Sequence, residues 1–225
     1  MRNLFSLDSK LMRALGLVAD YAILNVIYII TCIPLVTIGA AKTALYRVMF
    51  DMLEGNADSY LKRYFKTFAR EFRTATPLFL FKDGVLALIC WSLWIATHND
   101  LPLKAVSVIG LVVVLALWSV VFANLFVQVA LFASKFGEYL KNCLFIALNH
   151  PLKSLIVAVM ELIPPLLFLG APDLLGALGP VWLFFYFSVT CNLAARIWKK
   201  PFDGYIEKAS EEDAPEALPE DTSEE

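Results

Sequence analysis

The chain has 225 residues, of which 59% are hydrophobic and 18% charged, and its mean hydropathy is +0.67. A soluble domain of this size has no interior large enough for that much apolar surface, so the lipid bilayer is the expected sink and a freely dissolved enzyme is excluded. The formal charge of −2 conceals a division: ten acids and one lysine lie from Asp203 onward, whereas residues 1–202 carry 18 basic and 11 acidic groups.

The pattern predicts an all-α polytopic transmembrane helical bundle of about six spans, with short amphipathic cytoplasmic helices. Residues 1–13 alternate Leu4, Phe5, Leu7 and Leu11 with Arg2, Lys10 and Arg13, as an amphipathic N-terminal segment does. The transmembrane helical domain then covers 14–200, with spans at 14–36, 38–54, 77–97, 105–133, 151–170 and 180–198. Pro34, Thr37 and Gly39 mark a corner between the first two, read as a tight hairpin of two helices. Residues 38–54 are the ambiguous element, since they suit either a short span or a helix at the interface.

Between the second and third spans, Lys62, Arg63, Lys66, Arg70 and Arg73 interleave with Tyr60, Tyr64, Phe65, Phe68 and Phe72. That is a basic, aromatic amphipathic helix for anionic lipid headgroups or a cytoplasmic protein partner; being tied between two spans, it is not expected to hold nucleic acid. Pro77 is expected to open the third span. Residues 201–225 form an acidic tail that is expected to be disordered in the cytoplasm. With six spans, fifteen of the nineteen basic residues fall inside and Lys104 alone outside, which places both termini in the cytoplasm.

Charges within spans attract attention because each costs about 2.5–3.5 kcal/mol on insertion scales and calls for a partner or a wet cavity. Counted from the Gly39 and Gly170 turns, Arg47 and Glu161 lie at matching depths near the midplane and are expected to face one another. Asp20 and Lys82 match nearer the inner side. Asn25, Tyr28, Arg47, Asn124, Gln128, Glu161 and Asn192 therefore form a candidate polar midplane cavity, or else a set of interhelical hydrogen bonds holding the bundle. Glu161 beside Pro164 and Pro165 is the strongest single case for function, because prolines release backbone carbonyls that a cavity can use. The small residues Thr37, Gly39, Ala40, Thr43 and Ala44 read as a close-packing surface. Cys32, Cys90, Cys143 and Cys191 are isolated, so no disulfide framework, metal site or cofactor is expected. No phosphate-binding loop, zinc-protease or nucleophile-elbow motif occurs, and the chain is not expected to be an enzyme.

The stretch N-x8-P-L-V-T-I-G-A-A-x-T-A-L-Y from Asn25 to Tyr46, followed by E-G-x4-Y and an F-x2-F-x3-F run, resembles the YesL-like family of bacterial integral membrane proteins. The likeness extends over roughly residues 5–200. It implies a multi-pass protein of the bacterial cell membrane, in a family of unknown biochemical function encoded beside carbohydrate uptake and polysaccharide degradation systems. Two functions are carried forward. One is a non-catalytic accessory component associated with carbohydrate uptake or utilisation, engaging a membrane transport complex or another cytoplasmic partner. The other is a small-solute transporter or channel using the polar midplane cavity.

Overall fold

The structure is a computed structural model that describes residues 10–56, 59–99, 103–170 and 172–212. Helix α1 (Lys10–Thr31) stops just ahead of Pro34, whose ring disfavours helical geometry in the residue before it. A 3₁₀ turn at Leu35–Thr37 leads directly into α2 (Ile38–Leu53). Within that corner the Thr37 hydroxyl donates to the carbonyl of Thr31 at the helix end, and is shared with that of Pro34, which also accepts the Thr37 N–H. Eleven of the sixteen residues of α2 are buried, so it is the central post of the molecule.

The corner is present, but the tight hairpin is not. Helix α1 packs mainly on the last helical stretch of the chain, while α2 packs on α3 (Tyr60–His98), α5 (Leu125–Leu131) and α10 (Phe187–Glu212). Gly39 shows why α2 chooses α3. A Cβ there would stand 2.6 Å from the Ala75 carbonyl oxygen and 2.6 Å from Phe79 Cβ, so only glycine lets the two backbones approach this closely. The small-residue surface therefore has α3 as its partner, as close packing requires.

Pro77 does not open a new helix. Helix α3 runs through it for 39 residues, about 59 Å, and so joins the basic aromatic segment to the apolar span in one rod. Proline removes one helical donor, that of residue 77 to the Arg73 carbonyl. Burial of Tyr64, Ala75 and Leu78 on either side of it offsets that loss. Thr76 further ties the rod to the corner by donating to the Val36 carbonyl at 3.1 Å.

The second half begins with α4 (Lys104–Phe122), which breaks at Ala123–Asn124 before the buried α5. Next come α6 (Phe136–Asn149) and α7 (Pro151–Gly170), bent by 112° where they meet. Short helices α8 (Pro172–Ala177) and α9 (Gly179–Val181) precede a π-helical turn at Trp182–Tyr186 and then α10. No strand occurs among the described residues.

Six spans are not found. Among the described residues three helical stretches are long and apolar enough to cross a bilayer: Tyr60–His98, Lys104–Leu131 and Gly179–Ile206. The bent pair Phe136–Asn149 and Pro151–Pro164 makes a fourth if it counts as one span. The shortfall has a physical cause. At sixteen residues α2 is about 24 Å long, short of the roughly 30 Å hydrocarbon layer, and protein surrounds it. The described apolar part of α1 is also short, Leu15–Thr31. Helix α10 continues past Pro201 to Glu212 because Trp198 and Phe202 are fully buried, so the first part of the expected disordered tail is helical. Residues 1–9, the bulk of the expected amphipathic N-terminal segment, and 213–225, the rest of the tail, lie outside the described residues.

Candidate functional site

One carboxylate bridges two lysines where α2, α3 and α7 converge. Lys42 Nζ donates to Glu161 Oε1 at 2.6 Å, and Lys82 Nζ donates to Glu161 Oε2 at 3.0 Å. The side chains of Lys42, Lys82 and Glu161 are 18%, 8% and 22% exposed, so the bridge is neither sealed nor bathed in solvent. The ring of Phe126 on α5 lies under both ammonium groups, 5.4 Å from Lys42 Nζ and 5.1 Å from Lys82 Nζ. Each lysine thus balances part of its charge on a carboxylate oxygen and part on a π face.

The bridge borders a cavity of about 210 Å³ to which α1, α2, α3, α4, α5, α7 and α10 all contribute. Asp83, Tyr28, Tyr46 and Tyr186 add polar groups, while Trp118, Phe79 and Leu86 add apolar wall. Prolines shape one side of it. Pro164 has no N–H to give the Met160 carbonyl, and the Tyr186 hydroxyl donates to that oxygen at 2.7 Å instead. Pro165 likewise deprives the Glu161 carbonyl of its helical donor. On α4 the Trp118 indole donates to the Lys82 carbonyl at 3.1 Å and fixes the opposite side.

A second charged centre lies further along α2 and α3. Asp51 pairs with Arg47 at 3.3 Å and with Arg63 at 2.9 Å. The Asp51 side chain is 5% exposed, but the two arginines are 31% and 45% exposed, so this cluster opens to the surface.

Of the residues expected at a midplane cavity, Tyr28 and Glu161 line it. The expected Arg47–Glu161 pair is corrected to Lys42–Glu161–Lys82, with Arg47 bound to Asp51. Counting depth from the corner sets Gly39 at the far membrane surface, whereas it sits against Ala75 and Phe79, part-way along α3. That shift brings Lys42, one turn beyond Gly39, to the level of Glu161. The Asp20–Lys82 pair is corrected for the same reason, since Lys82 is taken by Glu161.

The remaining polar candidates tie helices together. Asn25 donates to the carbonyls of Trp182 and Leu183 at 2.9 and 2.8 Å and accepts from the Ser188 N–H at 2.9 Å. It satisfies the backbone groups that the π turn leaves out of register. Gln128 donates to Asn124, and both reach Cys143 on α6, closing the break between α4 and α5. Asn192 accepts from Arg196 Nε at 2.8 Å and lies 3.8 Å from Met49 Sδ. Lys62, Arg63, Lys66, Arg70 and Arg73 are all exposed on α3.

Lys42, Asp83 and Phe126 complete the site without being expected there, and Lys82 joins it with Glu161 rather than Asp20 as its partner. The usable signal for Lys42 is helical phase and height: it lies one turn beyond Gly39 and about 140° around the helix from Arg47, so the two cannot share a partner, and Lys42 is the one near the Gly39 contact with α3. Two cations in that first stretch of the chain now define the site.

Residues 21–96 match a family described as "Protein of unknown function, DUF624". No curated protein and no solved structure matches. The matched segment runs from α1 almost to the end of α3, so it holds Gly39, both bridging lysines and the Arg47–Asp51–Arg63 cluster, while Glu161 lies beyond it.

Proposed function

We propose that this is an integral membrane protein that binds a small polar solute in the cavity beside Glu161, as a transporter or channel does. The observation that carries the reading is an open volume of about 210 Å³ reaching a partly buried ion bridge. Intramembrane charge bordering free space, rather than packed solid, is the usual mark of a solute or ion path. The volume is below the roughly 300–1,000 Å³ typical of drug-sized ligands, and suits a solute of a few heavy atoms to a small sugar. The reading is tested by loading purified protein into liposomes and measuring uptake of small anionic, neutral and cationic solutes. Ser119→Leu, which extends a side chain from α4 into the cavity, is expected to keep the thermal transition and abolish uptake. Uptake unchanged by filling the cavity would refute a solute path there.

A second reading keeps a specific observation of its own. The five basic residues of α3 are exposed on the half of the rod that extends beyond an 18-residue apolar window, where anionic headgroups or a cytoplasmic partner can reach them. On that reading the protein is a non-catalytic accessory component in the bacterial cell membrane with its termini in the cytoplasm. The resemblance to YesL-like proteins would then put its partner in a carbohydrate uptake or utilisation system. Charge reversal at Arg63, Lys66 and Arg70 would abolish co-purification of a partner while Glu161→Gln leaves uptake intact, the opposite of the pattern expected from the solute-binding reading.

A further inference from the structure

Granted that the cavity is a solute site, the bridge itself specifies the class of solute. We infer that Lys42 and Lys82 form a clamp for the carboxylate of a small monoanionic solute, with Glu161 as a built-in occupant that takes up a proton when the solute displaces it.

Two bases and two acids border the cavity, and of the two acids Glu161 is the one hydrogen-bonded to both lysines. Here two lysines approach one carboxylate from separate sides, each taking its own oxygen, at 2.6 and 3.0 Å. That arrangement is a cradle for a planar group with two acceptor atoms. An ammonium has three donors, and one from each lysine is used on Glu161, so both keep donors for a second ligand. Phe126 presents its ring to both ammonium groups, which holds the pair together through an exchange of the anion between them.

Charge balance selects among solutes. The charged groups bordering the cavity are Lys42, Lys82, Glu161 and Asp83, which sum to zero when all are ionised. A cationic solute would enter against two ammonium groups. A neutral one would have to break charge-assisted hydrogen bonds and offer only weaker ones in return. A carboxylate reproduces those bonds in kind, but it adds a negative charge that the apolar surroundings penalise. Protonation of Glu161 removes it: the carboxylate takes one proton from solution, its two bonds to lysine are released, and the solute carboxylate accepts them. Charge is conserved at zero before and after, with one proton taken up per solute. The titratable and charged groups lining the cavity with Glu161 are Lys42 and Tyr46 from α2, Lys82 and Asp83 from α3, Tyr186 from the π-helical turn, Cys191 from α10 and Tyr28 from α1. None other than Glu161 both bridges the two lysines and loses its charge on protonation.

The test measures binding of acetate, lactate and gluconate to the purified full chain by titration calorimetry. Glucose, choline, chloride and inorganic phosphate serve as competing classes. The carboxylates are expected to bind, more tightly as the pH is lowered from alkaline to mildly acidic. Glu161→Gln retains both lysines and replaces the competing anion by a weak neutral one; it is expected to bind carboxylates about tenfold or more tightly, the worth of one charge-assisted hydrogen bond, with the pH dependence gone. Glu161→Asp, whose shorter side chain reaches the lysines less well, should fall between the two and decides the matter if the glutamine variant does not fold. Preference for glucose, choline, chloride or phosphate, or a Glu161→Gln variant that binds carboxylates no better than the parent, would overturn the carboxylate clamp and leave the solute site standing. Failure of the folded parent to bind any of the seven would overturn both.

Discussion

The two charged centres along α3 have the same formula, one acid between two bases, and opposite settings. Arg63 and Lys82 are 19 residues apart on one helix, about 28 Å. At the outer centre the bases are arginines whose guanidinium groups reach the surface, so water shares their charge and Asp51 has little left to compensate. At the inner centre the bases are lysines, compact point charges under a phenyl ring, and Glu161 supplies what water would have supplied. The lesson is that composition alone does not make a site: the same triad serves as a surface clasp in one place and as a ligand-like bridge in another, according to what surrounds it.

Removing each acid measures that difference. Glu161→Ala leaves two partly buried ammonium groups without the carboxylate that hydrogen-bonds them, with only Asp83 nearby as a counter-charge, and is expected to destabilise by about 3 kcal/mol, read as a lowered thermal transition in detergent. Replacing Lys42, Lys82 and Glu161 by methionine together with Asp83 by asparagine is expected to restore stability to within about 1 kcal/mol of the parent, because no orphaned charge then remains beside the cavity. Solute binding should be lost in that variant. Such a result would separate the use of these charges in binding from any need for them in folding.

Between the two centres, Gly39 fixes how α2 lies on α3. Gly39→Ala sets a methyl group 2.6 Å from a backbone oxygen that cannot swing aside, and a loss of about 1–3 kcal/mol is expected in the same assay. Both centres should be displaced together, visible as weakened solute binding as well as lowered stability. At the outer centre Asp51→Asn is expected to cost about 1 kcal/mol or less, since Arg47 and Arg63 can turn to solvent. A cost equal to that of Glu161→Ala would erase the contrast drawn here. The smallest effect is a gain: Gly84→Ala, with nothing within 4 Å of the added methyl group, should stabilise α3 by up to about 1 kcal/mol through helix propensity alone.

Much of the fold was legible in the residues. The apolar runs, the break at Pro34, the small-residue face of α2 and the need of Glu161 for a charged partner all follow from composition, backbone chemistry and helical period. The boundaries that failed did so where tertiary contacts outweigh a local signal. Pro77 looks like a helix start, but α2 packed along both sides of it keeps α3 continuous. Asn25 looks like a cavity residue, but the register of the π turn at Trp182–Tyr186, set by packing some 160 residues away in sequence, takes all of its hydrogen bonds.

By itself the sequence determined that the chain is helical, that it carries more apolar surface than it can bury alone, and that its few charges among apolar residues need company. Period and propensity settle which residues share a helix face, because those depend on the chain's own geometry. Which face meets which, and at what height, was decided only by the tertiary structure. Gly39 admits α3 at Ala75 and Phe79, and that one close approach lifts Lys42 rather than Arg47 to the level of Glu161.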